Sequence, residues 1–146
     1  MSQLTPPDCR IKRLFFTESS VIANSSYSTD EDSDTKVSIS RFAQTHPNQA
    51  NRVYLDIGIS SDDEASDNPP YSFMVKGFII MEFDPEDENA STQLDKIALM
   101  GTQAGIGAIR EHIASATSRG PWGEFYVGPV IVPNDVEISN GESNEQ

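Results

Sequence analysis

Apolar and polar residues alternate in short runs over the first part of the chain. The alternation is clearest in Arg52–Ser60, where Val, Leu and Ile occupy every second position, as in a strand with one buried face. Runs of strand-forming residues also occur at Cys9–Ala23, Val37–Phe42 and Tyr71–Phe83. Strict alternation would place four residues of the first run on one face: Ile11, Arg13, Phe15 and Thr17. The pattern therefore predicts four strands, which acidic, turn-rich loops separate.

A period of three to four residues replaces the alternation in the second part of the chain. Apolar residues recur at this spacing across Leu94–Ala116, which predicts one amphipathic helix. Thr92 and Asp95 fit a capping box at its start. Gly120 and Pro121 predict its end, with the glycine in a left-handed conformation. Four strands followed by one long helix predict an α+β fold in which the helix covers one face of an antiparallel sheet.

Two glycines in the middle of this helix need an explanation. Gly105 and Gly107 each cost about 1 kcal/mol relative to alanine in a helix interior. One interpretation is a break or kink near Gly101. The other, which we favour, is that Gly105 and Gly107 let a second backbone approach closely, as at a helix contact between subunits.

The composition limits the partners. The chain has 146 residues and a net charge of −13, from 23 acidic and 10 basic residues. This predicts one domain, residues 9–133, with flexible polar ends at 1–8 and 134–146. Such a charge repels phosphate and therefore disfavours nucleic acid and anionic membranes, and it suits a protein that exposes apolar patches and stays in solution. Charge alone would also fit a mimic of nucleic acid.

The cysteine content and the hydropathy point to the cytoplasm. Cys9 is the single cysteine, which excludes an intramolecular disulfide and a thiolate zinc cage. The N-terminus has no signal-peptide pattern. The longest strongly apolar run, near Gly77–Met81, is far too short to span a membrane. We therefore expect a cytoplasmic protein without membrane insertion.

No catalytic or metal-binding pattern occurs in the sequence. His46 and His112 have no obvious partners, the acidic runs do not match a calcium loop, and Gly105-x-Gly107 lacks a phosphate-loop lysine. We expect no enzymatic activity, no metal and no cofactor. Aromatic side chains are the remaining candidates for a functional role. Those after the helix either pack under the sheet edge or anchor a partner. The candidate binding side chains are Tyr27, Phe42, Phe78, Trp122, Phe125 and Tyr126.

Local motifs suggest a family. The run Ile109–Ile113 (IREHI), the stop Ser118–Gly120 (SRG), the spaced Gly128–Val130 (GPV) and the early Arg10–Leu14 (RIKRL) resemble the SecB family of protein-export chaperones. The resemblance implies a Greek-key antiparallel sheet, a homotetramer built as a dimer of dimers, and ATP-independent holding of unfolded precursors in apolar grooves. It also places the helix at the subunit interface, through Gly105, Ile106, Gly107, Ile109 and Ile113.

The sequence also departs from the family pattern. The export ATPase of the family docks on acidic sheet positions, and Glu18 matches one of these, whereas Ile22 and Lys76 stand where acids are expected. The polar region 134–146 lacks the family's second helix. Some SecB-like chaperones serve toxin–antitoxin systems. Two hypotheses therefore remain: a holdase for unfolded polypeptides, with the export ATPase as a further partner, or an interaction protein with one dedicated partner.

Overall fold

A computed structural model describes residues 5–46, 48–129 and 138–139 of the chain. Its helices and strands, in chain order, are β1 (Cys9–Ala23), β2 (Val37–His46), β3 (Gln49–Ser61), β4 (Tyr71–Phe83), α1 (Glu88–Ser91), α2 (Leu94–Thr117) and β5 (Ile138–Ser139). The bounds predicted for β1 and β4 are confirmed. The second and third strands are longer than the alternation predicted, since β2 continues past Phe42 and β3 begins before Arg52.

The strands form one sheet in the order β1-β4-β3-β2-β5. Strands β1 to β4 are antiparallel to their neighbours, which confirms the predicted α+β fold with a four-stranded antiparallel sheet and a long helix. The two-residue β5 pairs in parallel with β2. It lies in the region 134–146 that the sequence predicted as a polar end, and the rest of that region is outside the described residues.

The core lies between α2 and one face of the sheet. Leu55 and Ile57 of β3, Ile79 of β4, and Ile109 and Ile113 of α2 are almost completely buried there. Full burial of an aliphatic side chain of this size contributes about 1.5–3 kcal/mol. The other face of the sheet, which we call the open face, points away from α2.

Two glycines of α2 allow it to pack closely on the sheet. A Cβ atom on Gly105 would lie 2.7 Å from Cδ1 of Ile79 and 2.8 Å from Cδ1 of Ile57, and one on Gly101 would lie 2.9 Å from Cγ of Met81. The helix is continuous through both positions, so a break near Gly101 is not formed. The glycines permit a close approach, but the second surface is the sheet of the same chain.

The residues predicted for a subunit interface differ in exposure. Gly105, Ile106, Ile109 and Ile113 are buried inside the single chain. Gly107 is exposed, and a Cβ atom there would meet nothing within 4 Å. The subunit contact at these residues stays a prediction.

The start of the helical region also differs from the prediction. Asp87 caps the short α1, because its carboxylate accepts hydrogen bonds from the backbone N–H groups of Asn89 (3.0 Å) and Ala90 (3.3 Å). The Thr92 hydroxyl donates to the carbonyl oxygen of Glu88 and does not cap α2, which begins at Leu94 without a side-chain cap. The capping box at Thr92 is therefore wrong, since a separate helical turn precedes it.

The first described residues are attached to α1. The carbonyl oxygen of Thr5 accepts hydrogen bonds from the side chains of Asn89 and Gln93, both at 3.2 Å, and Pro7 is buried. The flexible N-terminal end stays a prediction, although residues 5–8 include these contacts. Residues 1–4 lie outside the described part of the chain.

Two bulges change the alternation along β1. The pairing with β4 shifts register between Ile11 and Arg13 and again between Phe16 and Glu18. Because each bulge inserts one residue, the faces exchange there. Ile11 therefore points to the helix side of the sheet, whereas Arg13 and Phe15 point to the open face. The expectation that strict alternation would keep all three residues on one face is wrong.

The two glycines Gly105 and Gly107 give a matched test of this packing. Gly105→Leu is expected to lower the free energy of unfolding by about 1–3 kcal/mol, because the new side chain overpacks the core. Gly107→Leu should raise it by up to about 1 kcal/mol, because leucine is a better helix former than glycine and finds open space. Denaturant unfolding of both variants checks this, and equal effects would contradict the packing described.

Candidate functional site

The chain turns sharply after α2, and Tyr71 holds the turn in place. Its hydroxyl donates to the carbonyl oxygen of Gly123 (2.8 Å) and accepts from the backbone N–H of Trp122 (3.1 Å). A Cβ atom on Gly120 would lie 2.5 Å from this hydroxyl oxygen, so only glycine fits there. The left-handed glycine is Gly123, with φ of +84°, and not Gly120 as predicted.

Three of the candidate aromatic residues attach this turn to the rest of the fold. Trp122 donates from its indole nitrogen to the carbonyl oxygen of Asn24 (2.9 Å), and its ring lies 5.2 Å from that of Tyr27. The ring of Phe125 lies 5.8 Å from that of Phe73 and packs against the core. Trp122, Phe125 and Tyr27 are all half-buried in these contacts, and their role in binding a polypeptide stays a prediction.

The chain then continues as the extended segment 124–129, which α2 holds through two side chains. The Thr117 hydroxyl accepts from the backbone N–H of Phe125 at 2.8 Å. The Arg110 guanidinium donates to the carbonyl oxygen of Val127 at 3.0 Å. Val127 is buried between these contacts, whereas Tyr126 is 68% exposed. The segment therefore presents one aromatic side chain to solvent.

A groove lies on each side of this segment. The helix groove, about 530 Å³, lies towards α2 and has a floor of small residues, among them Gly107, Ala114 and Ser115. The loop groove, about 420 Å³, lies towards residues 34–37. Tyr126 lines both. Both grooves are open to solvent and border extended backbone, so their shape suits an extended chain better than an enclosed small molecule.

The helix groove is acidic. Glu111 and Glu124 line it, while the guanidinium of Arg110 is engaged with the carbonyl of Val127. A hydrogen bond to Glu124 raises the pKa of the Tyr126 hydroxyl above its ordinary value, and burial and the charges of Glu124 and Glu111 raise it further. Tyr126 is therefore neutral at physiological pH and can donate a hydrogen bond.

The remaining candidate aromatics, Phe42 and Phe78, lie on the open face, away from both grooves. Phe42 is 47% exposed on β2 and Phe78 is half-buried on β4. The ring of Phe78 lies 5.5 Å from that of Phe15 and 5.8 Å from that of Tyr54. Sequence reasoning missed Phe15 and Tyr54 as members of this surface. The alternation in β3 placed Tyr54 opposite the core residues, which was the available signal.

The predicted docking residue Glu18 lies on the same open face and is partly neutralised. Its carboxylate is 3.9 Å from the ammonium of Lys76, and both side chains are about half exposed. Ile22 is 58% exposed at the end of the same strand. The face therefore presents an ion pair and an apolar group at the three positions where the family resemblance implies acids.

The two histidines make local contacts. Nε2 of His112 lies 2.8 Å from the Ser19 hydroxyl, and its ring centroid lies 4.6 Å from that of Phe16 in a tilted arrangement. Nδ1 of His46 accepts from the backbone N–H of Asn48 at 3.0 Å. Within residues 5–46, 48–129 and 138–139, no group of three or more His, Cys, Asp or Glu side chains is placed to hold a metal ion. None of the helices described is long and apolar enough to cross a membrane.

Phe125 and Tyr126 allow the core and surface assignments to be separated. Phe125→Ala is expected to destabilise the fold by about 2–4 kcal/mol, because its ring packs on the core. Tyr126→Ala should change the free energy of unfolding by less than about 0.5 kcal/mol, because most of its side chain is in solvent. Chemical denaturation measures both, and a large loss for Tyr126→Ala would contradict an exposed position.

The comparisons with known proteins were made on sequence and on structure. No protein-family model and no curated protein matches the sequence. Among solved structures, the chain is similar to the Mycobacterium tuberculosis SecB-like chaperone Rv1957 in complex with a ChAD peptide from the antitoxin HigA1, with a TM-score of 0.63 and 12% identity over 84% of this chain and 90% of that one. A protein of unknown function from Streptococcus agalactiae matches at a TM-score of 0.42 and 8% identity, over 83% and 97% of the two chains. The chain therefore has the fold of the SecB-like chaperones.

Proposed function

We propose that this protein is an ATP-independent holdase that binds unfolded or precursor polypeptides along the segment 124–129. The observation that carries the proposal is the fold shared with a chaperone whose structure contains a bound peptide. The helix groove and the loop groove supply open troughs on both sides of Tyr126. A client would bind in extended form, with Tyr126 as its aromatic contact. The activity would need no enzyme chemistry and no cofactor.

A dedicated partner is the second candidate, and two observations favour it over general export. The similar chaperone was solved with a peptide from an antitoxin. In addition, Lys76 lies against Glu18, and Ile22 occupies another position where the family resemblance implies an acid. An export ATPase that recognises acids on the sheet would find a weaker site here. The export ATPase is therefore a proposed partner only if the protein is a holdase for unfolded or precursor polypeptides.

The proposed assembly is a homotetramer, a dimer of dimers. The strand order supports a Greek-key sheet, because β1 lies beside β4 and not beside β2. That order leaves β1 as an edge strand, and its apolar residues Ile11 and Phe16 are 45% and 38% exposed. Long edges of this kind are usually covered by pairing. We propose that β1 pairs with β1 of a second copy, and that the protein, with its domain at residues 9–133, acts in the cytoplasm.

The holding activity is tested with a chemically unfolded model client whose aggregation is followed by light scattering. The wild-type protein is expected to suppress aggregation at stoichiometric excess without ATP. Tyr126→Ala should reduce the suppression severalfold, because it removes the exposed ring between the two grooves. The control Met100→Ala removes an exposed apolar group elsewhere on α2 and should have little effect.

Two outcomes would contradict this proposal. A folded protein that leaves aggregation unchanged is not a holdase, and binding to a single folded partner would then support the second candidate. Equal losses for Tyr126→Ala and Met100→Ala would place the client away from the segment 124–129.

The proposed assembly is tested by multi-angle light scattering. The wild-type chain is expected to have the mass of four copies. Ile11→Lys should shift the mass to smaller species, because it puts a charge on the edge that is proposed to pair. The control Phe42→Lys makes the same type of change on another strand and should keep four copies. A monomeric wild-type protein would overturn the proposed assembly.

A further inference from the structure

Strand β5 occupies part of one edge of the sheet. In the strand order β1-β4-β3-β2-β5 it pairs only with β2, in parallel, through Ile138 with Ala43 and Ser139 with Gln44. These two pairs cover a small part of β2, which runs from Val37 to His46. We call the side of β2 away from β3 the outer edge. Among the described strands, β5 alone pairs there, so the chain closes this edge with its own C-terminal region.

The start of β2 presents backbone groups at the outer edge. The carbonyl oxygen of Lys36 accepts from the backbone N–H of Asp62 at 2.8 Å, and its own N–H donates to the Ser66 hydroxyl oxygen at 2.9 Å. Both groups of Lys36 are therefore directed towards the loop that follows β3. Neighbouring residues of an extended strand direct these groups to opposite sides. Val37 and Ile39 thus present theirs at the outer edge, where a further strand can pair with them.

The loop groove opens onto this outer edge. It lies between residues 34–37 and 125–129, and Val37 is part of its lining. Thr35 lines it as well, and the hydroxyl oxygen of this residue is buried without a hydrogen-bond partner among the described residues. An extended chain in the groove can bond this hydroxyl and continue along β2 as an added strand. At about 3.3 Å per residue, it would meet β5 at Ala43, about 20 Å beyond Val37.

The pairing of β5 with β2 is easy to exchange. It consists of two residue pairs, the net contribution of each backbone hydrogen bond is modest, and parallel pairing is slightly less stable per residue than antiparallel pairing. The region 134–146 has four acidic residues and no basic ones in a chain of net charge −13, so like charges oppose its docking.

Covalent attachment is the advantage that β5 has over any other strand. Because it belongs to the same chain, its effective concentration at the outer edge is high. A free strand that pairs with two or three residues of β2 therefore competes poorly. A longer strand forms more backbone hydrogen bonds, and basic side chains on it are attracted by the acidic protein. Length and positive charge are thus the two properties that let a partner strand displace β5.

We propose that β5 is an autoinhibitory strand, which keeps the outer edge of β2 closed until a longer, basic client strand displaces it. This inference rests on the function proposed for the segment 124–129, because the client enters through the loop groove. Short clients bind in the groove beside β5. Longer clients gain pairing with β2 only when β5 leaves, so the chain itself limits how tightly they are held.

The test measures the binding of three fluorescein-labelled peptides by fluorescence anisotropy. The short peptide has eight residues of Lys, Thr, Val and Tyr, and the long peptide carries eight more residues of the same kinds. The third is the long peptide with the backbone N–H groups of its second half methylated, so that this half cannot pair. The wild-type protein is expected to bind all three with affinities within about threefold of each other, because β5 occupies the outer edge.

Two double variants separate the backbone of β5 from its side chains. Ile138→Pro with Ser139→Pro removes both N–H groups of the strand, and proline cannot donate to a ladder. This variant should bind the long peptide about tenfold more tightly than the wild-type protein does, as a few added backbone hydrogen bonds allow. Its affinity for the short peptide should be unchanged, which also shows that the groove is still folded. The control, Ile138→Ala with Ser139→Ala, keeps both N–H groups and should behave as the wild type.

The outcomes distinguish the role of β5 from the proposed function. Equal affinity of the proline variant and the wild-type protein for the long peptide would overturn the autoinhibition. So would a gain that the alanine control shares or that the methylated peptide retains. The short peptide reports on the segment 124–129: if Tyr126→Ala leaves its affinity unchanged, the proposed binding surface is wrong, while the gain for the long peptide still decides the role of β5.

Discussion

The close contact between α2 and the sheet determines the other surfaces of the molecule. The helix can lie near β3 and β4 because Gly101 and Gly105 have no side chain where Leu55, Met81, Ile57 and Ile79 need room. This contact buries one face of the sheet and leaves the other face exposed. It also fixes the end of α2, from which the segment 124–129 returns along the helix. The binding surface proposed at the segment 124–129 thus depends on this packing.

The periodicity predicted the fold well and the local chemistry less well. The two-residue and the three-to-four-residue periods located the strands and α2, because hydrophobic burial is what those periods record. They could not show that Gly105 packs inside the chain, since a close approach to a sheet and one to a second helix require the same residue. The capping box at Thr92 failed for a related reason. Thr92 lies at the end of the separate turn α1, which Asp87 caps, and its hydroxyl bonds back to the carbonyl of Glu88, which a spacing rule does not measure.

The sequence also did not show where each candidate aromatic residue lies in the fold. The sequence identified six of them, and the structure divides them between a packed cluster around Trp122, an exposed position at Tyr126 and the open face. Contacts that decide between these places join residues far apart in the chain, such as the indole of Trp122 and the carbonyl of Asn24. The bulges in β1 and the two-residue β5 were equally invisible, because neither leaves a repeat long enough to recognise.

The Tyr71 hydroxyl, at the start of β4, has a consequence for the order of folding. It bonds the backbone at Trp122 and Gly123, and the segment that follows is held by Thr117 and Arg110 of α2. The Tyr71 bonds join residues 52 and 51 positions apart, and contacts so distant in sequence close slowly, so the turn at Trp122 and Gly123 is attached to the sheet only once β4 and the end of α2 have come together. By the same logic the segment can detach without unfolding the sheet. Detaching the segment, and with it opening the two grooves, would then cost less free energy than unfolding the whole domain.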